Sequence, residues 1–344
     1  MQVKAQQSEN ARKFYERARR VRIIDSCEVN INLLKILVIC GQTASGKSEL
    51  ALRLAHELDA EIINADSMQI YRGLDIGTAK PTPQQRVEVP HHLIGIVEPD
   101  RLFSAADYAV AADDAIRDIS ARGKRAIVVG GTGLYIRALL KGLADSPSCA
   151  GEIRAELKED AGRVGNEAML ERLRRVDPEL ASRLHPNNLV RIIRALEVHQ
   201  LSGIPLSRYQ QKHAFAIDRY KSLQIGISVE RTRLYVRIEE RVDRMFTEGL
   251  LDEVRGLMHS GFGRELKAMR AIGYKEAAAH LSGEITLEEA IRLIKRDTRH
   301  YAKRQLTWFK ADPDILWFEY PEKFGTLLQD AIEFFEGRGS EHHG

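Results

Sequence analysis

The chain begins its regular pattern at KILVIC (35–40), a short unbroken apolar run, followed by a glycine-rich loop and then by SELALRLAHEL (48–58), whose apolar residues recur three and four apart. The first pattern predicts a buried strand and the second a helix. AEIINAD (60–66) predicts a second buried strand. SAADYAVAADDAIRDISARG (104–123) predicts a helix capped by Ser104 and ended at Gly123, and RAIVVGG (125–131) a third strand. Strands built on continuous apolar runs, with helices between them, predict a parallel sheet covered on both faces.

After Gly142 the pattern changes. ADSPSCAG (144–151) reads as a linker, and from Glu152 to about Gln211 only helical spacing is found, with breaks at Pro178, Pro186 and Pro205. SLQIGISV (222–229) is again a strand pattern, so the chain is expected to return to the sheet. Helices follow at 230–247, 249–259, 274–281 and from about 286 to 309, and DILWFEY (314–320) reads as a last strand. The expected organisation is an N-terminal extension (1–34), a core made of 35–145 and 221–320, an inserted all-helical domain (146–220), and a C-terminal helix and tail (321–344).

Composition adds little. Of 344 residues, 44% are apolar and 29% charged, the balance of a soluble globular protein. No apolar run is long enough to span a membrane, and no secretory h-region is read near the start. Cys27, Cys40 and Cys149 are far apart and lack metal spacing, which fits free thiols in a reducing cytoplasm. The net charge of +3 misleads, because residues 1–22 hold seven Lys/Arg against two Glu, leaving about −2 for the remainder. Global charge therefore gives no argument for nucleic acid; local patches must supply one.

The chemistry starts at CGQTASGKSE (40–49). Gly41, Gly46, Lys47 and Ser48 fit the phosphate-loop spacing G-x-x-x-x-G-K-[ST] between a strand and a helix, as that loop requires. Backbone N–H groups from Gln42 through Thr43, Ala44, Ser45 and Gly46 to Ser48 would wrap a di- or triphosphate. Lys47 adds a point charge, and Ser48 could ligate Mg²⁺ shared with the phosphates. The fold class is thus α/β, a P-loop NTPase-like core with a parallel sheet covered by helices, plus the helical insertion. Asp66 and Ser67 fall at the C-terminal end of the second strand, where ligands of open parallel sheets bind. Spacing alone leaves Asp66 open between a turn cap acting indirectly on Mg²⁺ and a catalytic base. Arg241, one helical turn after Arg237, reads on spacing as a solvated arginine paired with glutamate. Arg292, Arg296, Arg299 and Lys303 make a basic stripe opposite Leu287, Ile291, Ile294 and Leu306. It reads as a solvated polar face or as a contact for RNA phosphates. His91 and His92 follow Pro90, and structural use is expected there rather than metal binding.

Eight segments in order, GQTASGKSELALRLA, INADSMQIYRGLDIGTAKP, VPHHLIGIVEP, FSAADY, GGTGLYIRALLKGL, HPNNLVRIIRALEV, MRAIGYKE and AKRQLTWFK, closely resemble the tRNA dimethylallyltransferase family over about Ile36–Trp317. One departure is Gln42, where the family commonly has proline; its side chain is expected to point away from the loop. The resemblance implies transfer of a dimethylallyl group from dimethylallyl diphosphate to N6 of the adenine next to the anticodon, position 37. Asp66 would be the base, Thr43 would hold the bridging oxygen, Lys47 and Ser48 the other oxygens or Mg²⁺, and Arg241 would close the clamp across the site. It also implies contacts with the tRNA anticodon stem-loop from Asp66, Ser67, Met68 and Gln69, from Thr132 and Arg154, from Val190, Arg191, Ile192, Ile193 and Arg194, and from Arg270, Ala271, Ile272, Gly273, Tyr274 and Lys275. A cytoplasmic monomer is expected.

Three other readings compete. An adenylate isopentenyltransferase shares both motifs, but free AMP needs no second domain. A small-molecule kinase shares the loop and gives no reason for the insertion. A non-catalytic RNA-binding nucleotide switch would bind without turnover.

Overall fold

The structure is a computed structural model, and it describes residues 33–147, 151–213 and 218–338. The N-terminal extension up to residue 32, Cys27, Cys149 and the tail beyond 338 lie outside these residues. The chain divides into two compact units, one built from residues up to 140 together with those from 219 onward, the other from 141 to 218.

The first unit is an α/β core. Its strands are β1 (Lys35–Cys40), β2 (Ala60–Asn64), β3 (His91–His92), β4 (Arg125–Gly130), β5 (Lys221–Ser228) and β6 (Ile315–Glu319). They form one sheet in the order β3-β2-β4-β1-β5-β6, and every pairing is parallel. The unbroken apolar runs follow from this arrangement. Ile36, Val38 and Cys40 of β1 enter the core on one face, while Leu37 and Ile39 enter the core on the other; Val128 and Ile127 of β4 divide likewise. A strand buried on both faces has no polar position to alternate with.

Between the strands run α1 (Lys47–Glu57), α2 (Pro83–Glu88), α3 (Ala105–Ala121) and α4 (Gly133–Lys141). Ser104 caps α3 as expected: its hydroxyl accepts from the Asp107 N–H at 3.2 Å, and Asp107 returns the bond to the Ser104 N–H at 2.9 Å. Beside this helix Tyr108 and Tyr135 stack with ring centroids 4.3 Å apart. Gly130 marks the closest approach in the sheet, since a Cβ there would lie 2.2 Å from the Ala65 carbonyl oxygen. The chain leaves β1 toward β2 on one side, and leaves β4 toward β5 on the other. The crevice between the C-terminal ends of β1 and β4 is therefore the switch point of the sheet.

The second unit holds α5 (Gly151–Val176), α6 (Pro178–Ala181), α7 (Leu189–Ser202) and α8 (Leu206–His213). Helix begins at Gly151, the last residue of the stretch expected to be a linker. Gly165 interrupts α5 at φ 82°, so two helices meet there. Leu157, Leu173, Ile192, Leu196 and Val198 fill the core. Pro178 stands at the first turn of α6, where a missing N–H costs nothing. Asp177 before it is buried and takes the N–H of Leu180 at 3.1 Å and of Ser207 at 2.9 Å.

Beyond β5 the first unit continues with α9 (Arg231–Thr247), α10 (Leu250–His259), a 3₁₀ turn (Ala268–Arg270), α11 (Tyr274–Leu281), α12 (Leu287–Lys310) and, after β6, α13 (Phe324–Glu336). α9 carries two stripes at one spacing. Leu234, Ile238, Val242 and Met245 are buried, and the arginines 233, 237, 241 and 244 precede them by one residue each. Leu234 and Ile238 pack with Ala302 of α12. That contact fixes the rotation of α9 about its axis.

Candidate functional site

A cleft of about 680 Å³ opens at the switch point, lined by Thr43, Gly46, Lys47, Ser48, Asn64, Asp66, Gln69, residues of the 76–81 loop and Arg233, Arg237, Arg241 and Arg244 of α9. Its floor is the phosphate loop. Gly41 (φ 148°), Ala44 (φ 62°) and Gly46 (φ 99°) take backbone angles that bend the loop into a cradle. Such angles are cheap for glycine and disfavoured for alanine, so Ala44 stores a modest strain at the site. Gly46 caps α1 without a side-chain hydrogen bond, which leaves the first N–H groups of the helix facing the cleft. That is the arrangement helices use to hold anions.

Lys47 reaches back to the Gln42 carbonyl at 3.2 Å. Burial pushes its ammonium pKa down to about 8, with Arg241 adding repulsion and Asp66 opposing both. Arg241 is also lowered by burial and raised by Asp66. These three groups thus feel one another's charge across the cleft. Arg241 donates to the Thr78 carbonyl at 3.3 Å, and Arg237 to the Ser45 carbonyl at 3.4 Å. The reading of Arg241 as a solvated arginine paired with glutamate is corrected. The α9–α12 packing turns this stripe into the cleft, where its partner is a backbone carbonyl.

Asp66 follows β2 directly. Its Oδ1 accepts the N–H groups of Met68 (2.8 Å) and Gln69 (3.3 Å), which fixes the carboxylate plane and leaves Oδ2 without a hydrogen bond among the described residues. Asn64 steadies the turn. It accepts from the Asp66 N–H at 3.2 Å and donates to the Leu93 carbonyl at 3.1 Å. The Ser67 N–H donates to the Thr132 hydroxyl at 3.0 Å, which joins the turn to the loop after β4.

Behind the cradle, Gln305 of α12 is buried. Its Oε1 accepts from the Thr43 N–H at 2.8 Å and its Nε2 donates to the Gly131 carbonyl at 3.0 Å. Gln42 is buried too and donates to the Ala302 carbonyl at 3.1 Å, so its side chain points away from the cradle as expected. Sequence reading gave Gln305 no role of its own, although it lies in AKRQLTWFK, one of the segments that carry the family resemblance. The arginines 233 and 244, also passed over, could have been found from their spacing of four, eight and eleven along the helix.

The segments expected at tRNA divide. Ser67, Met68, Gln69 and Thr132 sit at the cleft or beside it. In the helical unit Val190 is 82% exposed and Arg191 exposed, but Ile192 and Ile193 are core residues at 0% and 4%. The expectation for this stretch is corrected: of its five residues expected to meet RNA, only Val190 and Arg191 present exposed side chains, because a helix with one buried face cannot present five consecutive side chains to a partner. Arg154 and Arg194 both bind the buried Glu197, at 2.7 and 2.8 Å, and Arg194 also holds the Pro147 carbonyl at 2.7 Å. In the first unit Arg270 and Lys275 are exposed, whereas Tyr274 is fully buried and its hydroxyl donates to Glu253 at 2.5 Å. The basic stripe of α12 is mostly ion-paired. Arg292 meets Glu289, Arg296 meets Asp297 and Arg299 meets Glu239, while Lys303 stands exposed.

His91 and His92 are held by neighbours in the fold. His92 contacts Glu61 at 2.7 Å and His91 contacts the Val89 carbonyl at 2.6 Å. Among the described residues no group of three His, Cys, Asp or Glu could hold a metal by itself, and no helix is long and apolar enough to cross a membrane. For a Mg²⁺ ion brought by bound phosphates, the exposed Ser48 at the helix start would offer a protein oxygen.

The IPP transferase family model matches residues 69–312. The chain is 68% identical over 304 residues to tRNA dimethylallyltransferase 1 of Pelobacter propionicus, covering 88% of this chain and 98% of that protein. It is 56% identical over 301 residues to the tRNA dimethylallyltransferase of Geobacter sulfurreducens, covering 88% and 97%. Among solved structures it is similar to the tRNA isopentenylpyrophosphate transferase of Bacillus halodurans (40% identity, TM-score 0.66, 90% of this chain and 99% of that one). It is also similar to a eukaryotic dimethylallyltransferase acting on tRNA (29% identity, TM-score 0.76, 90% and 81%). With a parallel sheet, a phosphate cradle and a carboxylate on one cleft, and relatives matched over nearly their whole length, the chain belongs to the IPP transferase family.

Proposed function

We propose that the protein transfers the dimethylallyl group of dimethylallyl diphosphate to N6 of the adenine 3′ to the anticodon, position 37 of tRNA, and releases diphosphate. It is a prenyltransferase. The single observation that carries this reading is the pairing of Asp66 with the cradle. One oxygen of Asp66 is tied to the backbone and the other has no hydrogen bond among the described residues, on the same cleft as Lys47, Arg241 and an uncapped helix start.

The chemistry follows from charge. The N6 lone pair is delocalised into the adenine ring and makes a poor nucleophile. As N6 bonds to the allylic C1, the free oxygen of Asp66 takes the N6 proton. The C1–O bond breaks toward the cradle, where Thr43, Lys47 and Arg241 meet the negative charge that grows on the leaving diphosphate. Mg²⁺ at Ser48 would neutralise part of that charge. The adenine must leave its stack to reach Asp66, as bases do in enzymes that modify them. We assign the approach of the anticodon loop to Ser67, Met68, Gln69 and Thr132, with exposed Arg191 and Arg270 available to phosphates, while Lys275 is held by Asp297 and Glu276.

The test incubates labelled dimethylallyl diphosphate and Mg²⁺ with unmodified tRNA, with AMP, or with neither. Label is expected in tRNA alone, at N6 of that adenine. Label in AMP alone would overturn the proposal in favour of an adenylate isopentenyltransferase.

A further inference from the structure

We infer that Glu253 and Tyr274 are positioning residues for the diphosphate clamp, fixing from behind the cleft the loop whose Thr78 carbonyl orients Arg241. The inference rests on the proposed transfer reaction. Residues 76–81 form one wall of the cleft. On the far side of this loop, Glu253 of α10 takes three consecutive backbone N–H groups: Asp75 at 2.9 Å and Ile76 at 2.8 Å on Oε2, and Gly77 at 3.2 Å on Oε1. Successive N–H groups converging this way make a concave anion site, and here an internal carboxylate fills it. The Tyr274 hydroxyl donates a fourth bond to Oε1 at 2.5 Å. The ring lies against Gly77, where a Cβ would come within 2.5 Å of it, so the loop sits on the tyrosine with no side chain between. Burial and the Glu253 charge both raise the phenol pKa, which keeps Tyr274 a donor.

The cleft side of the same loop carries the consequence. The Thr78 carbonyl accepts from Arg241 at 3.3 Å and from the Gln69 amide at 3.0 Å, and Gln69 also holds the Ala79 carbonyl at 3.1 Å. Gln69 closes the turn whose N–H groups fix Asp66. One loop thus touches both the clamp and the segment of the base. Remove the Glu253 charge and three N–H dipoles point at a site that no longer compensates them. The loop relaxes, and Thr78 ceases to hold the guanidinium.

The experiment is a double-mutant cycle on the full chain, with labelled dimethylallyl diphosphate and unmodified tRNA. Glu253→Gln is expected to lower kcat/KM for the donor about tenfold, with tRNA affinity within about twofold. Because Glu253 acts through Arg241, adding Glu253→Gln to Arg241→Ala should lower activity by no more than about threefold further. Fully multiplicative losses, or wild-type kinetics for Glu253→Gln, would overturn the inference. A wild-type protein that transfers no label would overturn the proposed function itself, which that control reads separately. If Glu253→Gln does not fold, Tyr274→Phe takes its place in the cycle. It keeps the ring under Gly77, removes one donor to Glu253, and should cost about threefold only when Arg241 is present.

Discussion

The side-chain oxygen of Gln305 stands 2.8 Å from the backbone nitrogen of Thr43, across 262 residues of sequence. The amide of the same residue bonds Gly131, whose neighbour Thr132 holds Ser67. One buried side chain therefore ties the cradle to the loop after β4, and through it to the turn that carries Asp66. Gln305→Leu leaves the Thr43 N–H and the Gly131 carbonyl unpaired in a buried place, at about 1–3 kcal/mol each. Thermal unfolding should shift down by several degrees, and single-turnover transfer should fall at least about tenfold, because the donor N–H groups lose their alignment. Unchanged single-turnover rates would show that the cradle holds its shape without this tie.

Asp66→Ala removes the proton acceptor while leaving the cradle and the exposed arginines in place. Transfer should vanish, and tRNA binding should stay within several-fold in a filter-binding assay. Full activity in that variant would remove Asp66 from the reaction.

Lys47 gives the donor site a pH dependence. Its pKa in the free protein is pushed down to about 8, so the ammonium is complete well below that pH and is lost as pH rises through it. A bound diphosphate favours the charged form. Donor affinity should accordingly be greatest near pH 7 and weaken as pH climbs past 8, with proton uptake on binding. Calorimetric titration of dimethylallyl diphosphate without tRNA, from pH 6.5 to 9.5, reads both quantities. Lys47→Arg should flatten the profile.

Glu61 tests the fold rather than the site. Its side chain is buried, and hydrogen bonds from Arg122 and then from His92 hold its carboxyl down at about 2, against burial that works the other way. A folded pKa below the unfolded value contributes stability that is present above about pH 4.5 and is lost as pH falls toward 2. Glu61→Gln should cost about 2 kcal/mol at pH 7, a value reduced from that of a fully buried pair. The reduction follows from Arg122, which is 42% exposed and so partly screened by solvent. Urea unfolding at pH 7 and at pH 3 should show the cost shrinking at the lower pH.

By itself the sequence determined the kinds of element and their order. β1, β2, β4 and β5 announce themselves because a strand buried on both faces is mostly apolar, and the few polar residues in them, such as Glu61 in β2 and Gln224 in β5, do not hide the pattern. The phosphate loop announces itself because its chemistry is carried by local backbone that only glycine allows. Ser104 and Pro178 mark helix starts for equally local reasons, and the kinship of the chain was legible in eight short motifs.

Tertiary structure decided what depends on which surfaces meet. Helical spacing places Arg237 and Arg241 on one side of α9, but only the packing of Leu234 and Ile238 against α12 turns that side into the cleft. Ile192, Ile193 and Tyr274 sit within stretches read as RNA-facing, yet their side chains are buried; the helical spacing of Leu189, Ile192, Ile193 and Leu196 already marks the first two as core positions, whereas Tyr274 is buried among residues distant in sequence. Gln305 and Glu253 act on backbone groups about 260 and 180 residues away in sequence. A motif can mark such a residue, as AKRQLTWFK marks Gln305, but it does not show the partner, because the bond's geometry exists only after the fold has brought the two segments together.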